Sequence, residues 1–151
     1  MTMNPIIARI ATIAVIAVAA IGLIAASHPD VTRPRLETSL AQSFTNLYLQ
    51  QGDILGTPTT AARINAQPTC DRGGPSVKDV GAGADWICMM NFTDLTGTAQ
   101  QGKFELVAKA NYCATISGPS KIIGLLTITD HHGKNVLNPV FEWDTCYNPA
   151  S

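Results

Sequence analysis

The sequence predicts an α+β domain behind a membrane-directed segment, on three observations. An apolar run fills residues 6–26, a helix-period amphipathic stretch follows at 35–51, and from Ala84 onward apolar residues recur at every second position. The expected architecture is one or two helices packed on a meandering antiparallel sheet of about four to five strands, closed by two disulfides. The chain divides accordingly into 1–27, a signal-anchor or signal peptide, 28–34, a spacer, and 35–151, an extracytoplasmic domain.

The run IIARIATIAVIAVAAIGLIAA carries Arg9 as its only charge. From Ile10 to Ala26 it holds 17 uncharged residues, which make about 26 Å of helix at the usual rise. That exceeds a typical signal core and reaches the lower limit of a spanning helix. Arg9 can snorkel to the inner headgroups, so a single-pass anchor with the C-terminal domain outside is the preferred reading. Cleavage is the alternative: Ala25 and Ser27 have the small side chains a signal peptidase requires, and the cut would leave a secreted chain starting at His28.

After the spacer HPDVTRP, Leu36, Leu40, Phe44, Leu47 and Tyr48 fall on one helical face, with Gly52 in the place of a left-handed cap. Thr57-Pro58 reads as a helix start, giving two turns through Ala66. The Gly-rich 73–83 stretch admits one short strand around 76–80. In DWICMMNF, Trp86, Cys88, Met90 and Phe92 alternate on one side. In KFELVAKAN, Phe104, Leu106, Ala108 and Ala110 do the same, so the two form a hairpin. Tyr112 to Ile116 is expected to prolong the second strand. KIIGLLTIT at 121–129 reads as a central third strand, 130–135 as a turn, and 136–143 as a fourth strand that Pro139 confines to an edge.

Four cysteines, Cys70, Cys88, Cys113 and Cys146, have none of the short spacings of a zinc site, and outside the cytoplasm they are expected as disulfides. Spacing alone leaves three pairings open. The preferred one is Cys70–Cys88 with Cys113–Cys146, because each then ties an irregular segment to a strand.

Net charge is −1 and only 14% of residues are charged, so there is no basic field for nucleic acid. Asp130, His131 and His132 are the weak metal candidates, two imidazoles and a carboxylate at a turn without a third protein ligand in view. The same three residues resemble the Asp-His-His motif of the DHH phosphoesterases. That family's further aspartates are absent and this chain is too short for its domain, so the match is read as coincidence. No catalytic residues and no cofactor are expected. Asn91-Phe92-Thr93 is an N-glycosylation sequon where the host glycosylates exported chains.

Tyr112-Cys113, Gly118-Pro119 and the ending Asn138-Pro139-Val140-Phe141-Glu142-Trp143-Asp144-Thr145-Cys146 resemble small actinobacterial or actinophage envelope proteins. The resemblance implies an N-terminal membrane segment, a short cysteine-containing extracytoplasmic domain and no assigned activity. The expected function is therefore a membrane-anchored binding or accessory module of the cell envelope. Its expected partners are the membrane, through residues 6–26, and a protein of the envelope. The alternatives are a secreted protein acting on an extracellular partner, and a small metal-dependent hydrolase using the Asp130-His131-His132 turn.

Overall fold

A computed structural model of the chain describes residues 31–110 and 113–146. The anchor or signal expected at 1–27, most of the spacer, Tyr112 and the tail after Cys146 lie outside those residues. Among the described residues no helix is long and apolar enough to cross a membrane.

Helix α1 runs from Arg33 to Ile54 (22 residues), about 33 Å at the usual rise. Thr32 is its extended N-cap residue and Pro34 sits in the first turn, where a missing N–H costs nothing. The helix therefore begins inside the expected spacer. Leu36, Leu40, Phe44 and Tyr48 are buried along one stripe, while Leu47 packs at the margin of the core. Gly52 is not the cap. It lies buried in the last turn, and the chain leaves the helix in the left-handed region at Gly56 (φ 70°). A Cβ at Gly52 would stand 2.9 Å from the Thr57 carbonyl oxygen. Close approach of the returning chain, not a left-handed backbone, is what glycine allows there. The helix expected after Thr57 is a single turn, α2 (Ala61–Ile64), capped by Thr60 rather than Thr57.

Five strands form the main sheet: β1 (Gln67–Arg72), β2 (Gly83–Thr93), β3 (Ala99–Ala108), β4 (Cys113–Ser117) and β7 (Glu142–Cys146). They are antiparallel in the order β1-β2-β3-β4-β7. The α+β class and the five-stranded antiparallel sheet agree with the expectation; several elements do not. The sheet starts at Gln67, and residues 76–80 hold only an isolated bridge, Val80 to Thr32. Residues 113–117 do not prolong β3 but return as a strand of their own, after a reversal closed by Lys109 N–H donating to the Cys113 carbonyl (2.7 Å).

The apolar stretch 121–129 is not a central strand. Ser120–Ile123 is a helical turn, α3, ended by Gly124 (φ 93°), a conformation L side chains rarely adopt. Only β5 (Thr127–Thr129) is extended, and it pairs with β6 (Asn135–Leu137) in a separate two-stranded sheet. The expected fourth strand at 136–143 is split likewise. Its first part is β6, its last is β7 at the sheet edge, and Pro139 lies in the turn between them.

Helix α1 covers one face of the main sheet. Trp86, Cys88, Met90 and Phe92 from β2 and Phe104, Leu106 and Ala108 from β3 meet its apolar stripe in one core. Phe44 is the centre, stacked on Tyr48 (5.1 Å) and edge-on to Phe92 (4.9 Å) and Phe104 (5.5 Å). Burial pushes the Tyr48 phenol up from its ordinary value. The indole N–H of Trp143 reaches α1 by donating to Ser43 Oγ (3.1 Å), so its polar end stays bonded.

Two disulfides close the sheet, Cys70–Cys88 and Cys113–Cys146. Each joins residues directly opposite one another on adjacent strands, with Cα atoms 4.0 and 3.9 Å apart. Both cysteine partners are therefore in strands, and neither bond ties down an irregular segment.

Candidate functional site

The turn between β5 and β6 holds the chemistry-bearing residues singled out in the sequence. Asp130 N–H donates to the Lys134 carbonyl (2.8 Å) and Gly133 N–H to the Asp130 carbonyl (2.9 Å), closing a turn that Gly133 permits at φ 84°. One carboxylate oxygen of Asp130 accepts the backbone N–H groups of Lys134 (2.8 Å) and His132 (2.9 Å). The Lys134 N–H, and behind it the His132 N–H and the two imidazoles, hold the Asp130 carboxyl below the usual carboxylate range against the opposing effect of burial.

His131 docks this turn onto the end of α1. Its backbone N–H donates to the Ile54 carbonyl (2.9 Å), and Nδ1 lies 3.0 Å from the same oxygen. A carbonyl oxygen only accepts, so Nδ1 is the donor in this contact. The His131 and His132 rings lie 3.9 Å apart, tilted by 45°. A cleft of about 330 Å3 opens beside them, lined by Asp53, Ile54, Asp130, His131 and Val136. Among the described residues no three His, Cys, Asp or Glu side chains come together as a metal site. Asp144 is turned to other partners, Thr115 Oγ1 (2.5 Å) and Lys109 Nζ (3.5 Å) on the outer face of the sheet.

The base of the same hairpin carries the largest apolar exposure of the described surface. Leu125 is 69% exposed, Leu126 54% and Leu137 71%. Leu137 is paired across the ladder with Thr127, next in sequence to Leu126, so the three share one end of the hairpin. Two buried amides hold this end in place, and neither was visible in the sequence pattern. Gln51 of α1 donates to the Ile123 carbonyl (2.8 Å) and to Asn138 Oδ1 (3.0 Å). Asn138 in turn donates to the carbonyls of Ile123 (2.8 Å) and Leu125 (2.9 Å). The leading Asn of the Asn-Pro-x-Phe ending thus ties the hairpin to the helix. Only the short polar character of these two residues in an apolar neighbourhood could have hinted at it.

A separate groove of about 390 Å3 is lined by the amides Asn65, Gln67, Asn91, Gln100 and Gln101. Gln67 Nε2 donates to Asn65 Oδ1 (3.1 Å) and Gln101 Nε2 to Asn91 Oδ1 (3.0 Å), so these amides answer one another. Asn91, the sequon residue, is exposed on the outer face.

The comparisons add no relative: no protein-family model, no curated protein and no solved structure matches this chain.

Proposed function

We propose that this protein is an extracytoplasmic binding module, held at the membrane by residues 6–26 and engaging a protein of the envelope through Leu125, Leu126 and Leu137. The single observation behind this reading is that leucine cluster. Large apolar side chains left in water at one end of a hairpin cost solvation free energy that a partner would recover. Their position strengthens it. The hairpin sits at the C-terminal end of α1, some 33 Å along the axis from the end where the chain enters. A tether at residues 6–26 would turn that end away from the bilayer, toward soluble or envelope-bound proteins.

The hydrolase reading loses support from the Asp130 carboxylate, whose Oδ1 serves two backbone N–H groups of its own turn. Replacing both His131 and His132 by alanine separates the two readings. A binding module keeps its partner, whereas a hydrolase loses turnover. The direct test places a photo-crosslinking residue at Leu137 in the native host, with one at Thr69 on the far edge of the sheet as control. A discrete adduct from Leu137 alone, abolished in Leu125→Gln/Leu126→Gln, is the expected result. Equal labelling from both positions would reject the reading.

A further inference from the structure

The chain enters the domain at a defined place, and that place has an apolar surface of its own. Val31 is buried, and its carbonyl accepts the N–H of Gly81 (2.8 Å). Thr32 bridges to Val80, and Arg33 N–H donates to the Asp79 carbonyl (3.2 Å). The Arg33 guanidinium adds ion pairs to Glu37 (2.9 Å) and Asp79 (3.5 Å). Residues 31–33 are thereby sewn to residues 79–81, and the loop 73–82 is the domain's nearest neighbour to the incoming chain. The loop is itself braced from below: Arg72 binds the Val80 carbonyl (2.7 Å) and Asp85 (2.8 Å), and the Trp86 indole N–H donates to the Gly81 carbonyl (3.0 Å).

Five residue steps separate Ala26, the end of the apolar run, from Val31. Fully extended they span at most about 18 Å, and a bridged neighbour lies only about 5 Å beyond Thr32. A domain tethered so short must keep residues 79–81 close to the bilayer. The loop is suited to that position. Val77 is 41% exposed and Val80 45%, with Pro75 beside them in an open surface. The charges around it give no excess of positive charge: the three cations Lys78, Arg33 and Arg72 stand among the four carboxylates Asp71, Asp79, Asp85 and Glu37. This is an apolar contact that does not depend on anionic lipid.

We infer that the loop 73–82 is a lipid-facing surface, with Val77 and Val80 entering the headgroup–acyl boundary of the bilayer in which residues 6–26 are held. The inference rests on the anchor reading and deepens it: it fixes which side of the domain meets the membrane and leaves the leucine hairpin facing away.

The test uses the full chain in zwitterionic phosphatidylcholine vesicles, with acyl-brominated lipid as quencher. Val77→Trp should be quenched at least twofold more than the wild-type tryptophans, and Leu137→Trp no more than they are. In the unmutated chain, labelling of Lys78 by an aqueous amine reagent should fall several-fold on reconstitution, and that of Lys134 should not. High salt should leave both results unchanged. Flotation of the vesicles separates the two ideas. A chain that floats but shows neither Val77→Trp quenching nor Lys78 protection overturns the lipid surface alone. A chain that does not float overturns the anchor and the surface together.

Discussion

The two edges of the main sheet solve the same problem by opposite means. An edge strand offers unpaired backbone groups to any passing strand, and proteins must blunt it. On β1 the residues whose N–H groups point away from β2 are 68, 70 and 72. Pro68 has no N–H; Cys70 N–H donates to Glu37 of α1 (2.8 Å); Arg72 N–H donates to Asp79 (3.0 Å). On β7 the short Cα separation between Cys113 and Cys146 marks a non-hydrogen-bonded pair, so Glu142, Asp144 and Cys146 turn their backbone groups outward. Among the described residues no strand follows there, and two carboxylates guard the edge. Each edge strand is also tied to its neighbour by a disulfide, buried on β1 and reaching solvent at Cys146 on β7. One edge is closed by backbone satisfaction under a helix, and the other by charge and a covalent bond in the open.

That contrast is broken most directly by reduction. Under native conditions a dithiol should open Cys113–Cys146 through local fraying of β7, whereas Cys70–Cys88 must wait for much larger opening. We expect rates differing by about a hundredfold or more, given the range between local and global opening. Timed alkylation and peptide mass analysis would show it, and equal rates would mean the β1 edge opens as readily as β7. Removing the bonds is the equilibrium counterpart. Chain entropy alone assigns about 3–4 kcal/mol to each and slightly more to the longer loop, Cys113–Cys146. The buried pair should nevertheless cost more, because Cys70→Ala/Cys88→Ala also empties space in the core. Chemical denaturation of the two double variants decides which effect dominates.

Single carboxylates sharpen the comparison further. Glu37→Ala leaves the Cys70 N–H without its acceptor in a partly buried place and should cost about 1–3 kcal/mol. Glu142→Ala and Asp144→Ala should each cost less than Glu37→Ala, as exposed pairs do. Their effect should be seen instead in self-association, since the guarded edge then becomes available for pairing. Sedimentation of the Glu142→Ala/Asp144→Ala double variant measures it, and a strictly monomeric double variant would show that carboxylates are not what protects β7.

The same contrast explains what the sequence disclosed. Helix α1 and the β2–β3 hairpin bury alternate faces against each other, so their residues repeat with helix and strand periods and could be read directly. Strand β1 has the sequence QPTCDR and buries Cys70 alone; its stability comes from Glu37 and Asp79, distant in sequence and invisible to periodicity. The stretch 121–129 misleads in the opposite direction. Its apolar letters suggest a central strand, yet Leu125 and Leu126 are exposed, and that exposure became the candidate docking surface. A site made of uncovered hydrophobic residues looks, in one dimension, like core. The Asp130 turn was legible as a turn, since Asp, Gly and Asn state their backbone preferences locally. Its dock on Ile54 was not, because it spans 77 residues.

The smallest expected effect is on acid stability, and it separates the β7 edge from the β2–β3 turn, where Asp94 stands. Burial works to raise the Asp94 carboxyl, but hydrogen bonds from Thr96, Gln100 and Thr98 outweigh it and hold the group at about 2. On β7 the Thr115 hydroxyl, then the Lys109 charge, lower the Asp144 carboxyl from its ordinary value. A carboxylate depressed in the folded state contributes stability that is fully present above its unfolded value, near 4, and is lost as pH falls through the folded one. Stability should therefore decline below about pH 4, with the Asp94 contribution disappearing toward about pH 2. Asp94→Asn should flatten most of that slope. Asp144→Asn should remove less of it, because Asp144 stands in solvent where water screens its partners. If Asp144→Asn instead removed the larger share, the β7 carboxylates would be anchoring the strand as well as guarding its edge, and the two edges would differ less than their hydrogen bonds suggest.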